Sequence, residues 1–150
     1  AFYRTEPVGH AAQPYFWNVV AAIRWRGSPA SLLRRTQAVE RAVGRTPTFT
    51  NGPREIDVDI LDCGGRVRNA PDPVLPHPRL ARRRFVLAPL SEVAPRWRHP
   101  VSGRTASALL ARLPPRPAAT RLSSRPRGFA APAPASSIPR RSSAARASRR

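Results

Sequence analysis

A chain of 150 residues can form one domain with a sizeable core; its formal charge is +19, and all 27 basic residues are arginine. A single cysteine, Cys63, excludes an intrachain disulfide framework and a cysteine metal cluster. No apolar run approaches the roughly 20 residues of a membrane span and no signal-peptide pattern is visible, so a cytoplasmic protein is the expectation. Arginine forks match phosphate oxygens in a bidentate way, which fits a phosphate-rich partner. A GC-rich coding sequence also enriches arginine, alanine and proline, and accounts for many of the surface arginines.

Phe2 to Thr5 reads as a short strand, broken by Glu6-Pro7-Val8-Gly9. The chain opens inside this strand pattern, and the expectation is that a natural N-terminal segment precedes it. Phe16 to Trp25 is rich in aromatic and β-branched residues and predicts a longer strand, antiparallel to the first. Asn18 is the polar residue within it; an edge-strand hydrogen bond is its plainest role. Ser28-Pro29 starts a helix, with serine as N-cap and proline at the first helical position. Leu32, Leu33, Val39 and Val43 keep rough helical spacing, and Gly44 closes the helix. Gln37 and Glu40 share one face of it, either solvated or turned to a ligand.

The stretch Asn51 to Asp62, NGPREIDVDILD, holds four of the eight acidic residues of an otherwise basic chain. Ile56, Val58 and Ile60 alternate with Asp57 and Asp59, which predicts a strand. On a strand the two aspartates share a face, with Cα atoms about 6–7 Å apart. Two carboxylates so close need a cation between them, and magnesium binds through such oxygens together with substrate phosphates. Spacing alone equally suits a solvated edge strand. The preceding Gly52-Pro53-Arg54 favours a metal-phosphate site.

Gly64-Gly65 makes a turn, and Val67 begins a short return strand. Prolines 71, 73, 76 and 78 hold the next segment extended around His77. Four arginines follow between Arg79 and Arg84, read as a solvated run or a phosphate clamp. Phe85 to Ala94 reads as a strand end or short helix on the core, and Trp97 as the cover of a core edge. Thr105 caps a last helix through Leu113. Residues 114–150 carry nine arginines, seven prolines and no acid, and predict a disordered tail able to touch nucleic acid nonspecifically. Translation of GC-rich DNA in a wrong frame would leave the same composition. The domain expectation is therefore a folded unit over 1–113 and a tail over 114–150.

FYRTEPVG, QPYFWNVV, the TQAVE helix, NGPREIDVDIL and LPHPRLARRRFVLAPLSEVAP occur in the order found in the 6-hydroxymethyl-7,8-dihydropterin pyrophosphokinase family, which the chain resembles over about residues 2–113. The resemblance implies an α+β fold, a ferredoxin-like sandwich with a mainly antiparallel sheet, whose first strand and helix are missing from this chain. It implies transfer of pyrophosphate from ATP to the dihydropterin, releasing AMP, with two Mg²⁺ ions, in a monomer of folate biosynthesis. By the same resemblance Asp57 and Asp59 are metal ligands. Thr5, Val8, Phe16, Asn18 and Phe85 form the pterin site, with Phe16 and Phe85 stacking on the ring and Asn18 bonding its edge. Gln37, Glu40, Arg54, Ile60, His77 and Arg83 form the ATP site, in which Arg54 and Arg83 hold the reacting phosphates. Pro47 and Thr50 stand where many members carry a basic residue, and Asn51 where some carry tryptophan. The rival readings are a basic nucleic-acid-binding protein and an inactive fragment of the kinase.

Overall fold

The computed structural model describes residues 1–5, 15–45, 56–124 and 126. Strand β1 (Tyr3–Thr5) is central in a three-stranded antiparallel sheet, flanked by β2 (Phe16–Asn18) and β3 (Ala119–Arg121). Tyr3 pairs with Asn18 on one side and Arg121 on the other, and Thr5 with Phe16 and Ala119. Helix α1 (Pro29–Val43) follows β2, helix α2 (Arg84–Val93) follows a 3₁₀ turn at Leu80–Arg82, and α3 is Ala106–Leu110. The architecture is α+β.

The core lies between α2, α3 and the 3₁₀ turn. Leu80, Val86, Leu87, Leu90, Ala106 and Leu109 are buried together, and Trp97 packs against them. In α2 the apolar positions 86, 87 and 90 form one stripe, as a 3.6-residue repeat requires. Both helix starts read from sequence hold. Ser28 caps α1 by accepting the Ser31 N–H, with Pro29 in the first turn, and Thr105 caps α3 by accepting the Ala108 N–H.

Four expectations are corrected. The strand predicted over residues 16–25 ends at Asn18. Asn18 pairs with Tyr3, the first residue of β1, and the ladder closes there. Tyr15, Phe16, Trp17, Val19, Ile23 and Trp25 are accordingly exposed. Ile56–Ile60 alternates in burial as a strand does, yet residues 56–62 join no ladder among the described residues. Its Val58 N–H goes to a side chain of α1, and its Leu61 carbonyl accepts the His77 N–H at 2.9 Å. The return strand at Val67 reduces to one bridge, Arg68 with Leu75. Finally, residues 119–121, inside the segment expected to be disordered, form β3, and the Leu122 N–H donates to the Phe2 carbonyl.

A side-chain clasp joins sheet and helix. The hydroxyl of buried Tyr3 donates to Glu92 Oε1, and Arg121 Nε reaches both Glu92 oxygens at 3.0 and 3.1 Å. The Tyr3 bond, followed by Arg121, holds the Glu92 carboxyl below the usual carboxylate range. Burial, then the bond to Glu92, pushes the Tyr3 phenol up to about 12 from 10.0. The neutral phenol is thus favoured by folding. Its contribution is complete below pH 10 and is lost as pH rises through 12, because the unfolded chain releases the proton first. No lysine titrates in that window, and arginine stays protonated. Tyr3→Phe should therefore flatten the fall in stability between pH 10 and 12, a difference of up to about 3 kcal/mol readable in urea melts across pH. Equal slopes in both proteins would contradict it. Truncation checks β3: a chain ending at residue 113 should melt several degrees below one ending at residue 126, since only the former loses the β1–β3 ladder. Matching melting temperatures would show that β3 adds nothing.

Candidate active site

The site is assembled where α1 meets the extended aspartate segment and the loop bearing His77. Glu40, near the C-terminal end of α1, is 4% exposed. Its Oε1 accepts the Val58 N–H at 2.7 Å and pairs with Arg45. Val58 sits between the two aspartates, so this bond fixes where both emerge. Arg45 gets its place from the end of the helix. Gly44 adopts φ 106°, and the N–H groups of Gly44 and Arg45 return to the Arg41 and Glu40 carbonyls. This left-handed cap suits glycine and turns the chain back on the helix. Arg45 Nη1 then stands 3.3 Å from Asp57 Oδ1. Arg45 is not among the residues expected in the site from sequence. Its position directly after the capping glycine was the signal available.

Asp59 faces a guanidinium and an imidazole. Arg83 Nη1 is 3.0 Å and His77 Nε2 is 3.6 Å from Asp59 Oδ2. The guanidinium of Arg83 also lies over the Phe85 ring, 5.4 Å from its centre. Burial holds the His77 imidazole below its usual range, with Arg83 and Arg79 pushing the same way against the pull of Asp59. The Arg79 N–H donates to His77 Nδ1 at 3.1 Å. A neutral ring accepting at Nδ1 carries its proton on Nε2, the nitrogen turned to Asp59. His77 is thus a hydrogen-bond donor pointed at an anion site.

Beside these groups opens a cleft of about 380 Å³, lined by Gln37, Val58, Asp59, Ile60, Val74 and His77 among others. Its walls are largely apolar, with the carboxylates of Asp59 and Asp72 and the His77 imidazole among them.

On the sheet, Asn18 Nδ2 donates to Thr5 Oγ1 at 2.7 Å. Thr5 is buried, Asn18 half-buried and Phe16 exposed. The bond leaves the amide oxygen of Asn18 as an acceptor. Phe85 is half-buried in the first turn of α2. Of the residues expected in the site, the structure therefore joins Asp59, His77 and Arg83 in direct contact, sets Gln37 and Ile60 in the same cleft, and pairs Thr5 with Asn18. Glu40 is turned into the protein, bonded to Val58 and Arg45. Val8 and Arg54 lie outside the described residues.

Asp57 and Asp59 stay partly exposed while Ile56, Val58 and Ile60 are half-buried. Both carboxylates emerge on one side and both attract cationic partners, so their chemistry fits a divalent ion. No cluster of three or more histidine, cysteine, aspartate or glutamate residues occurs among the described residues. A magnesium site made of two carboxylates and a bound polyphosphate does not need one.

Asp59 and His77 line the cleft, and the Arg83 guanidinium pairs with Asp59 beside it. The family model for 7,8-dihydro-6-hydroxymethylpterin-pyrophosphokinase (HPPK) matches residues 1–95, and the chain belongs to that family. It is 44% identical over 104 residues to the 2-amino-4-hydroxy-6-hydroxymethyldihydropteridine pyrophosphokinase of Porphyromonas gingivalis, covering 66% of this chain and 69% of the relative. The protein of the same name from Pseudomonas aeruginosa is 41% identical over 112 residues, 75% of this chain and 68% of the relative. A folic acid synthesis protein of Pneumocystis carinii is 37% identical over 101 residues; this covers 67% of the present chain and only 14% of that longer protein.

The buried anchor has a measurable consequence. Glu40→Ala strands the Val58 N–H and leaves Arg45 without its closest partner. It should cost about 2–4 kcal/mol in a denaturant melt, with Glu40→Gln, which keeps an acceptor, costing less. A loss below about 0.5 kcal/mol for the alanine variant would show that the anchor is not holding the segment.

Proposed function

We propose that the chain transfers the pyrophosphoryl group of ATP onto the hydroxymethyl group of 6-hydroxymethyl-7,8-dihydropterin, giving AMP and the pterin diphosphate, in folate biosynthesis. The observation that carries this reading is the gathering of His77 and Arg83 on Asp59, whose carboxylate and the His77 ring line the cleft. Membership of the family supports it.

Asp57 and Asp59 would hold magnesium, two ions by the family resemblance, which would neutralise the phosphates and orient them for displacement. Without substrate, Arg83 and Asp59 neutralise each other. When a polyphosphate binds, Arg83 turns to phosphate and frees the Asp59 carboxylate for a cation. His77 donates its Nε2 proton to a phosphate oxygen. Gln37 and Ile60 line the space for the nucleotide, and Arg54 supplies a second guanidinium. Glu40 serves the ATP site from inside the protein, by holding Val58 between the two aspartates. Thr5, Val8, Phe16, Asn18 and Phe85 receive the pterin: the rings stack on it and the Asn18 amide reads its edge. Transfer of this kind depends on positioning and charge neutralisation, and no side chain is required as a nucleophile.

The ferredoxin-like sandwich implied by the resemblance includes a further strand and helix.

The test is formation of AMP from ATP and the dihydropterin in the presence of magnesium. Asp57→Ala or Asp59→Ala should lower turnover by about 10²–10³-fold and leave pterin affinity within about twofold, because only the phosphate end needs the metal. Near-normal turnover in either variant would sink the metal assignment. RNA binding by residues 1–113 with no pterin binding would replace this reading with that of a nucleic-acid-binding protein.

A further inference from the structure

Glu92 lies far from the phosphate cluster, toward the C-terminal end of α2, and is exposed, yet it bonds two strands at once. Its Oε1 accepts from the Tyr3 hydroxyl on β1, and Arg121 on β3 reaches both of its oxygens. The Arg121 pair is open to water, and such pairs contribute little. The Tyr3 bond differs, because Tyr3 is buried and its hydroxyl would otherwise lack a protein partner.

Tyr3 stands directly across from Asn18 in the β1–β2 register. Thr5 is two residues further along β1, on the same buried face, and accepts the Asn18 amide. Tyr3, Asn18 and Thr5 therefore form one contiguous patch. The other end of the bond is on α2, whose first turn carries Phe85. The Glu92–Tyr3 bond thus ties β1, which carries Thr5, to α2, which carries Phe85. Arg83 bonds to Asp59 and His77 stands 3.6 Å from the same carboxylate, while the Glu92 contacts are with Tyr3 and Arg121.

We propose that Glu92 is a positioning residue for the pterin, acting through Tyr3 on the Thr5–Asn18 pair. This rests on the pterin-binding role proposed above for Thr5, Asn18 and Phe85. A positional fault of an ångström in such a pocket weakens recognition of one substrate without touching the other.

The experiment uses the full chain and two titrations, one with 6-hydroxymethyl-7,8-dihydropterin and one with magnesium and a non-hydrolysable ATP analogue. Glu92→Ala should weaken the pterin about tenfold, the effect of losing roughly one good hydrogen bond, and leave the nucleotide unchanged. Glu92→Gln keeps an acceptor for Tyr3 and should restore most of the affinity. Tyr3→Phe keeps the ring and should match Glu92→Ala, and the double variant should be no weaker than the weaker single one. If Glu92→Ala does not fold, the Gln and Phe variants carry the comparison. Unchanged pterin affinity in the variants, an equal loss for both ligands, or failure of glutamine to rescue would overturn the proposal. If the unaltered chain itself binds no pterin, the pyrophosphokinase reading falls and this one with it. If it binds pterin and the variants bind equally well, only the role of Glu92 falls.

Discussion

The carboxylate of Glu40 is out of water, so its charge must be met within the protein. It is met by the Val58 N–H and by Arg45, and both partners belong to the site. Val58 is the residue between the two exposed aspartates, and Arg45 also reaches Asp57. One buried acid thus decides where two exposed acids stand. The arrangement needs α1 to end where it does, because only the turn at Gly44 brings Arg45 back over the last helical residues. The cap, the buried acid and the paired carboxylates form one chain of dependence.

A second chain of dependence runs through Arg83. It ends the 3₁₀ turn, opens α2, faces Asp59 and lies over Phe85. The buried leucines at 80, 87 and 90 fix the turn and the helix on either side of it. The hydrophobic core therefore orients a guanidinium and an aromatic ring together. Phosphate recognition and pterin stacking would share one support, while the acids take theirs from α1.

Local signals were legible wherever chemistry between near neighbours decides the conformation. Ser28-Pro29, Gly44 and Thr105 act within a few residues, and each stands at the helix end it marks. The alternation of Asp57 and Asp59 with apolar neighbours correctly separated an exposed side from a half-buried one. It could not tell whether a neighbouring strand exists, because a period of two reports faces and not partners. The strand expected there is an extended segment held by a side chain. The same limit applies to residues 19–25, whose composition favours a strand while the ladder with β1 closes at Asn18. The joining of Asp59, His77 and Arg83 was legible only through the family resemblance, since no spacing rule relates residues so far apart. Arg45 and Glu92 were missed because each acts through a tertiary contact. β3 was hidden by a composition that argues against order, though three residues suffice to extend a ladder already begun.

The pairing of β1 with β3 joins opposite ends of the described chain. A ribosome delivers residues in order, at roughly 5–20 per second. Tyr3 therefore emerges long before Arg121, and the central strand must wait with one edge unpaired while the helices condense beside it. Contacts so distant in sequence close late, because the loop entropy is lost before the ladder repays it. The edge of β1 that β3 covers would then stay open to chaperones or to aggregation until Arg121 has left the ribosome.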